Sequence, residues 1–297
     1  MKKRWMLMIA AVLLVSMIGG QAAMAQEDSD TLTVAVGIVP EEAFVQAVAG
    51  DLVSIVTLVP PGNSPANYQP TAMEMQALSD AKIYFTLQMP TEQANILPKV
   101  SDFNADIKIV DLREAVLAQY PLLNTDGEEI ETTEGQSVDP HVWLSPKRAA
   151  VMVQTIADEL SALDEANADI YQANAAVYLA KLSALDSEIQ EKVAGLSNTS
   201  FLIYHAAYNY FAKDYGLTMI AIEIAGKQAT AEELQGVIDL ARESNITTVF
   251  YQAEFDDSQA ETVADEIGGT VAQVAPLSIN YIQGLEDFVS ALAQSKE

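Results

Sequence analysis

From residue 31 onward, short apolar and β-branched runs alternate with stretches in which apolar positions recur every three or four residues. That alternation is the signature of parallel strands joined by covering helices. Strands are predicted at 32–39, 53–59, 82–87 and 107–111, with helices at 41–49, 71–80 and 91–100 between them. Pro60-Pro61-Gly62 ends the second strand in a sharp turn. The stretch 124–138 carries Asp126, Glu128, Glu129, Glu131 and Glu134 without an apolar period, and is predicted as an exposed loop. A helix follows at about 147–162. Residues 165–194 then run without Gly or Pro, and Tyr178, Leu182, Leu185, Ile189 and Val193 recur at helical spacing. One helix of about 45 Å is the expectation, with Gly195 at its C-cap. A second alternation closes the chain, with strands at 200–204, 219–224, 246–252 and 270–275 and helices near 207–215, 230–244, 257–267 and 281–294.

The pattern describes an α/β protein of two lobes, each a small parallel sheet flanked by helices, joined by one long rigid helix. The boundaries expected are a leader at 1–25, an N-terminal lobe at 26–163 containing the acidic loop, a linking helix at 164–196 and a C-terminal lobe at 197–297. Open α/β sheets bind ligands outside the carboxyl ends of their strands, so two facing lobes form a cleft.

Composition narrows what that cleft takes. Lys2, Lys3 and Arg4, an apolar run from Trp5 to Ile18 and Ala23-Met24-Ala25 read as a secretory signal peptide. The apolar run falls short of the roughly 20 residues of a spanning helix; its retention as an anchor is the alternative. The chain carries a formal charge of −27, and three of its cations lie in the leader. Nucleic acid is therefore disfavoured as a partner, whereas cations are attracted. With no Cys in the sequence, disulfides, a thiolate metal site and a lipidated Cys are excluded. The location expected is periplasmic or cell-surface, without anchoring through Cys.

Only two histidines occur, and both stand at element boundaries. His141 lies in Asp139-Pro140-His141-Val142-Trp143-Leu144-Ser145-Pro146, just before a helix, and His205 follows the apolar strand Phe201-Leu202-Ile203-Tyr204. Neutral imidazole is the commonest nitrogen ligand for zinc and related metals, so two rings from opposite lobes make a candidate half-site. Glu223, at the end of a strand, and Glu254, just beyond another, are candidate carboxylate ligands; Glu223 fits an N-cap equally well. Asp256 and Asp257 fit capping better than ligation. No Gly-Xaa-Ser-Xaa-Gly elbow, His-Glu-Xaa-Xaa-His pair or phosphate-cradling Gly-rich loop is present. A metallohydrolase using the same residues and a bound water stays compatible with them.

Over nearly the whole chain beyond the leader, these residues resemble the metal-binding receptors of zinc and manganese ABC importers. Pro60-Pro61-Gly62-Asn63-Ser64-Pro65-Ala66-Asn67-Tyr68-Gln69-Pro70 is similar to the family's first ligand motif, the stretch around His141 to its second, and Tyr204-His205-Ala206-Ala207-Tyr208 to its third in the zinc-type form. Glu223 falls where manganese-type members place a carboxylate. The resemblance implies an extracytoplasmic receptor, not an enzyme, that holds a divalent transition metal, zinc ahead of manganese, between its lobes and delivers it to an ABC importer permease as a monomer. Two departures accompany it. Ala66 stands where the first motif has His, and no carboxylate occurs in Val274-Ala275-Pro276-Leu277-Ser278, where a fourth ligand is expected. Weaker metal binding, a metal chelate as the ligand, or an adhesin role on the same fold are the alternatives these departures open.

Overall fold

The computed structural model describes residues 31–223, 227–255 and 257–294; the leader expected at 1–25 lies outside them. Strands β1 (Leu32–Val36), β2 (Val53–Thr57), β3 (Ala81–Thr86) and β4 (Lys108–Asp111) form one parallel sheet in the order β2-β1-β3-β4. Strands β7 (Ser200–Ile203), β8 (Thr218–Ala221), β9 (Thr248–Gln252) and β10 (Thr270–Val274) form a second parallel sheet in the order β10-β9-β7-β8. Read in chain order, both sheets reverse direction once: between β1 and β3 in the first and between β7 and β9 in the second. Such a switch point opens a crevice at the strands' carboxyl ends.

Helices α1 (Val39–Ala49), α2 (Ala72–Gln76), α3 (Val100–Phe103) and α4 (Leu112–Leu117) belong to the first lobe, and α7 (Asn209–Tyr215), α8 (Ala231–Glu243), α9 (Ser258–Ile267) and α10 (Tyr281–Gln294) to the second. Local chemistry sets several of their ends. Thr230 caps α8 reciprocally with Glu233, while Gly216 and Gly268 close α7 and α9 at φ of 67° and 68°, a conformation that a Cβ would strain. Between the lobes run α5 (Pro146–Leu163) and α6 (Ala168–Ala194), the latter 27 residues long. Tyr171, Ala175, Leu182, Leu185, Ile189 and Val193 are the buried positions of α6, which packs on α1, α5 and α10. One apolar cluster thereby continues from Val34 and Phe44 of the first lobe to Phe250 and Phe288 of the second.

Among the departures from the sequence expectation are two longer stretches. The region predicted as helix 91–100 is a π-helical turn (Glu92–Ile96), a 3-10 turn (Leu97–Lys99) and only then α3. The acidic stretch 124–138 is partly ordered: β5 (Leu122–Leu123) pairs antiparallel with β6 (Glu129–Ile130), and Asn124 bridges Val138. Asn124 Oδ1 accepts from the backbone N–H groups of Asp126 and Glu128, and Gly127 takes the turn at φ 81°. A polar hairpin of this kind is held by side-chain to backbone bonds that an apolar period cannot reveal.

Candidate metal centre

The hairpin aims the chain into the cleft. After the bridge at Val138, the Asp139 carboxylate accepts from the backbone N–H of His141 at 2.9 Å and from its ring Nδ1 at 2.7 Å. The other Asp139 oxygen accepts from Asn209 Nδ2 at 2.9 Å, and the Asp139 carbonyl accepts from the Tyr210 hydroxyl at 2.8 Å. Both donors belong to the second lobe. Two residues on, the Trp143 indole N–H donates to the Pro276 carbonyl at 2.9 Å, and the Tyr281 hydroxyl donates to the Trp143 carbonyl at 2.6 Å. Further out, Arg148 grips Asp214 through Nε and Nη2 at 2.8 and 3.0 Å. His141 is thus fixed by bonds that cross from lobe to lobe.

His205 leaves β7 at the switch point of the second sheet. Its backbone N–H donates to Gln252 Oε1 at 3.2 Å and its carbonyl accepts from Gln252 Nε2 at 2.9 Å, a reciprocal pair with the last residue of β9. Glu223 Oε2 accepts from the ring Nδ1 at 2.9 Å, and the Phe255 ring stacks on the imidazole at 4.6 Å between centroids. The two carboxylates are almost out of solvent, at 3% exposed for Asp139 and 7% for Glu223, while the rings retain 13% and 18%. The carboxylates stand behind and the rings face the cleft.

That arrangement selects the tautomer of each neutral ring. A carboxylate only accepts, so each Nδ1 carries a proton, and in the neutral imidazole each Nε2 keeps its lone pair. The two Nε2 atoms lie 3.2 Å apart. Two lone pairs cannot hydrogen-bond to each other; a cation shared between them satisfies both. Two zinc–nitrogen bonds of about 2.0–2.1 Å at the tetrahedral angle separate their nitrogens by about 3.3 Å, which matches the spacing here.

The four residues singled out from sequence therefore occupy different places. His141 and His205 converge. Glu223 places one oxygen on the far nitrogen of His205, and among the described residues the next helix, α8, starts only at Ala231. Glu254 lines the same cavity; its Oε2 is buried without a hydrogen-bond partner, and burial holds its carboxyl above the usual range. Among the described residues no group of three His, Cys, Asp or Glu has metal-ligand spacing. Asp257 occupies the N-cap position of α9 without a side-chain capping bond, and Asp256 lies outside the described residues. Sequence reasoning missed Asp139 as the holder of His141, together with Asn209 and Gln252. An acid two residues before a cleft histidine was the signal available for Asp139; for the two amides none existed.

A cavity of about 450 Å³ opens over the histidine pair. Its first-lobe wall includes Pro65, Ala66, Asn67 and Met89, and its second-lobe wall Phe255, Pro276 and Leu277.

The family model described as "Zinc-uptake complex component A periplasmic" matches residues 34–295. The zinc-binding lipoprotein AdcA of Streptococcus pneumoniae is 31% identical over 277 residues, covering 87% of this chain and 54% of its own length, so the chain spans about half of that relative. The manganese-binding lipoprotein MntA of Halalkalibacterium halodurans is 27% identical over 258 residues, covering 86% and 82%. Among solved structures, one of ZnuA superposes with a TM-score of 0.83 at 34% identity over 90% of this chain and 100% of that one. Zn(II)-bound AdcA from Streptococcus pneumoniae gives 0.72 at 28% identity over 90% and 58%.

Proposed function

The chain belongs to the family of periplasmic zinc-uptake component A, and from that premise we propose that it is an extracytoplasmic receptor that captures a divalent transition metal and hands it to the permease of an ABC importer. The observation that carries the reading is the 3.2 Å approach of the His141 and His205 Nε2 atoms, each ring backed by a carboxylate on Nδ1. Carboxylate-backed imidazole is a common outer support of bound zinc: it fixes the tautomer and raises the basicity of the ligating nitrogen. Glu223 and Asp139 act through the rings rather than on the metal. Nitrogen donors at the front favour zinc over manganese, which prefers oxygen.

The receptor works as a monomer without turnover. Binding needs only that the cleft present two lone pairs to the ion, and release follows when the permease parts them. The interlobe bonds of Asp139, Trp143 and Arg148 limit how far the lobes move. The strong negative charge of the chain draws the cation in.

Titration calorimetry on the full chain, stripped with a chelator and dialysed, tests this with zinc as titrant. One equivalent is expected to bind, with at least a 100-fold loss on His141→Ala or His205→Ala. Unchanged affinity in the double variant refutes the assignment.

A further inference from the structure

The cavity is larger than an ion alone needs, and among the described residues no group of three His, Cys, Asp or Glu has metal-ligand spacing. Its 450 Å³ falls within the about 300–1,000 Å³ of small-molecule sites, whereas a tetrahedral zinc held by His141 and His205 has only two positions left to fill. One oxygen each of Asp139 and Glu223 is engaged on a far ring nitrogen, and the second Asp139 oxygen accepts from Asn209. Ala66, Pro65 and Met89 line the same cavity, and none of their side chains competes with water as a ligand for zinc. The space stays open although the lobes are already bonded to each other. Trp143 to Pro276, Asn209 to Asp139 and Arg148 to Asp214 already span the interface at hydrogen-bond distance.

From these observations, and resting on the receptor reading above, we infer that the cargo is the metal carried as a one-to-one complex with a small amino acid chelator, whose own donors complete the coordination sphere and whose body fills the Ala66 side of the cavity. The walls select this chemical class. Glu254 lines the cavity, and its Oε2 is buried without a partner; an amine bound to a metal still has N–H bonds to donate to this carboxylate. No Lys or Arg lines the cavity among the described residues, so an anionic chelate such as a tricarboxylate meets no cation, while a divalent metal with one amino acid anion keeps a net positive charge. Asn67, beside Ala66 on the wall, offers a neutral amide to the chelator's carboxylate.

Native mass spectrometry of the full chain, together with zinc titrations in the absence and presence of L-histidine or citrate, tests the inference. Free histidine competes for zinc, so a receptor of the bare ion loses occupancy when it is added. A receptor of the chelate instead shows a ternary protein–zinc–histidine species and at least a tenfold tighter apparent affinity, and citrate only strips the metal. Ala66→His, which adds a nitrogen donor to the bare wall, is expected to reduce the ternary species at least tenfold while zinc still binds. Zinc bound without histidine, with occupancy falling as histidine rises, overturns the inference and leaves the metal receptor intact. No zinc bound under any condition overturns the receptor reading and the inference with it.

Discussion

Glu41→Gln is expected to make the protein more stable the higher the pH. Glu41 and Glu92 are both fully buried and meet around Gly37, at the switch point of the first sheet. Glu41 Oε2 accepts from the N–H groups of Gly37 and Ile38 at 3.0 and 2.9 Å, while its Oε1 is buried with no partner. Glu92 accepts from the Tyr84 hydroxyl at 2.5 Å and the Met89 N–H at 2.7 Å. Burial, then the neighbouring Glu92 and more weakly Asp111, push the Glu41 carboxyl well above its ordinary range; burial also raises Glu92. A carboxyl whose folded pKa is raised stabilises the fold fully below its unfolded pKa of about 4.3. That contribution is lost as pH rises towards the folded value, by about 1.4 kcal/mol for each pH unit in which only the folded chain holds the proton. Glutamine keeps an acceptor for Gly37 and Ile38 and cannot ionise. The stability difference between variant and parent should therefore grow with pH at about that slope above pH 4.3, then level off once Glu41 ionises in the fold. Urea unfolding of the metal-free chain at pH 5, 6, 7 and 8, followed by the fluorescence of buried Trp143, measures it. A difference that stays constant across the series refutes a buried proton at Glu41.

Gly37→Ala places a Cβ 2.3 Å from Glu92 Oε1, and should destabilise by about 1–3 kcal/mol in the same assay. Arg148→Met strands Asp214 beside Ser145 and should lower stability by about 3–5 kcal/mol, while double replacement of Arg148 and Asp214 by apolar residues recovers much of the loss. Glu223→Gln leaves His205 in place but weakens its backing, so zinc affinity by calorimetry should fall about 10–100-fold with the thermal midpoint of the metal-free protein little changed.

The alternation of strands and helices was legible because it rests on apolar periodicity, and every predicted strand overlaps an observed one. Predicted strands ran long at their carboxyl ends: 32–39 stops at Val36 because Gly37 and Ile38 turn to feed their N–H groups to Glu41. The short α4 and the β5–β6 hairpin carry too few periodic positions to register. Of the site, the two histidines were legible because imidazole is rare in this chain and both stood at strand or helix ends. The roles of the carboxylates were not. Whether Glu223 meets a metal or a ring nitrogen depends on about one side-chain length, which strand position does not fix. Glu41 and Glu92 fall in the first turns of the predicted helices 41–49 and 91–100 and carried no signal of their own, since nothing in periodicity distinguishes an acid that faces water from one that faces another acid in the core.

The central claim is that one metal ion sits between two imidazole nitrogens from opposite lobes. Anomalous diffraction at the zinc absorption edge, from crystals of the zinc-loaded full chain, tests it directly. A single strong peak about 2.0–2.1 Å from both the His141 and the His205 Nε2 atoms is expected, with Asp139 and Glu223 still on the Nδ1 side. A zinc peak elsewhere, or one that touches only one of the two rings, contradicts the account.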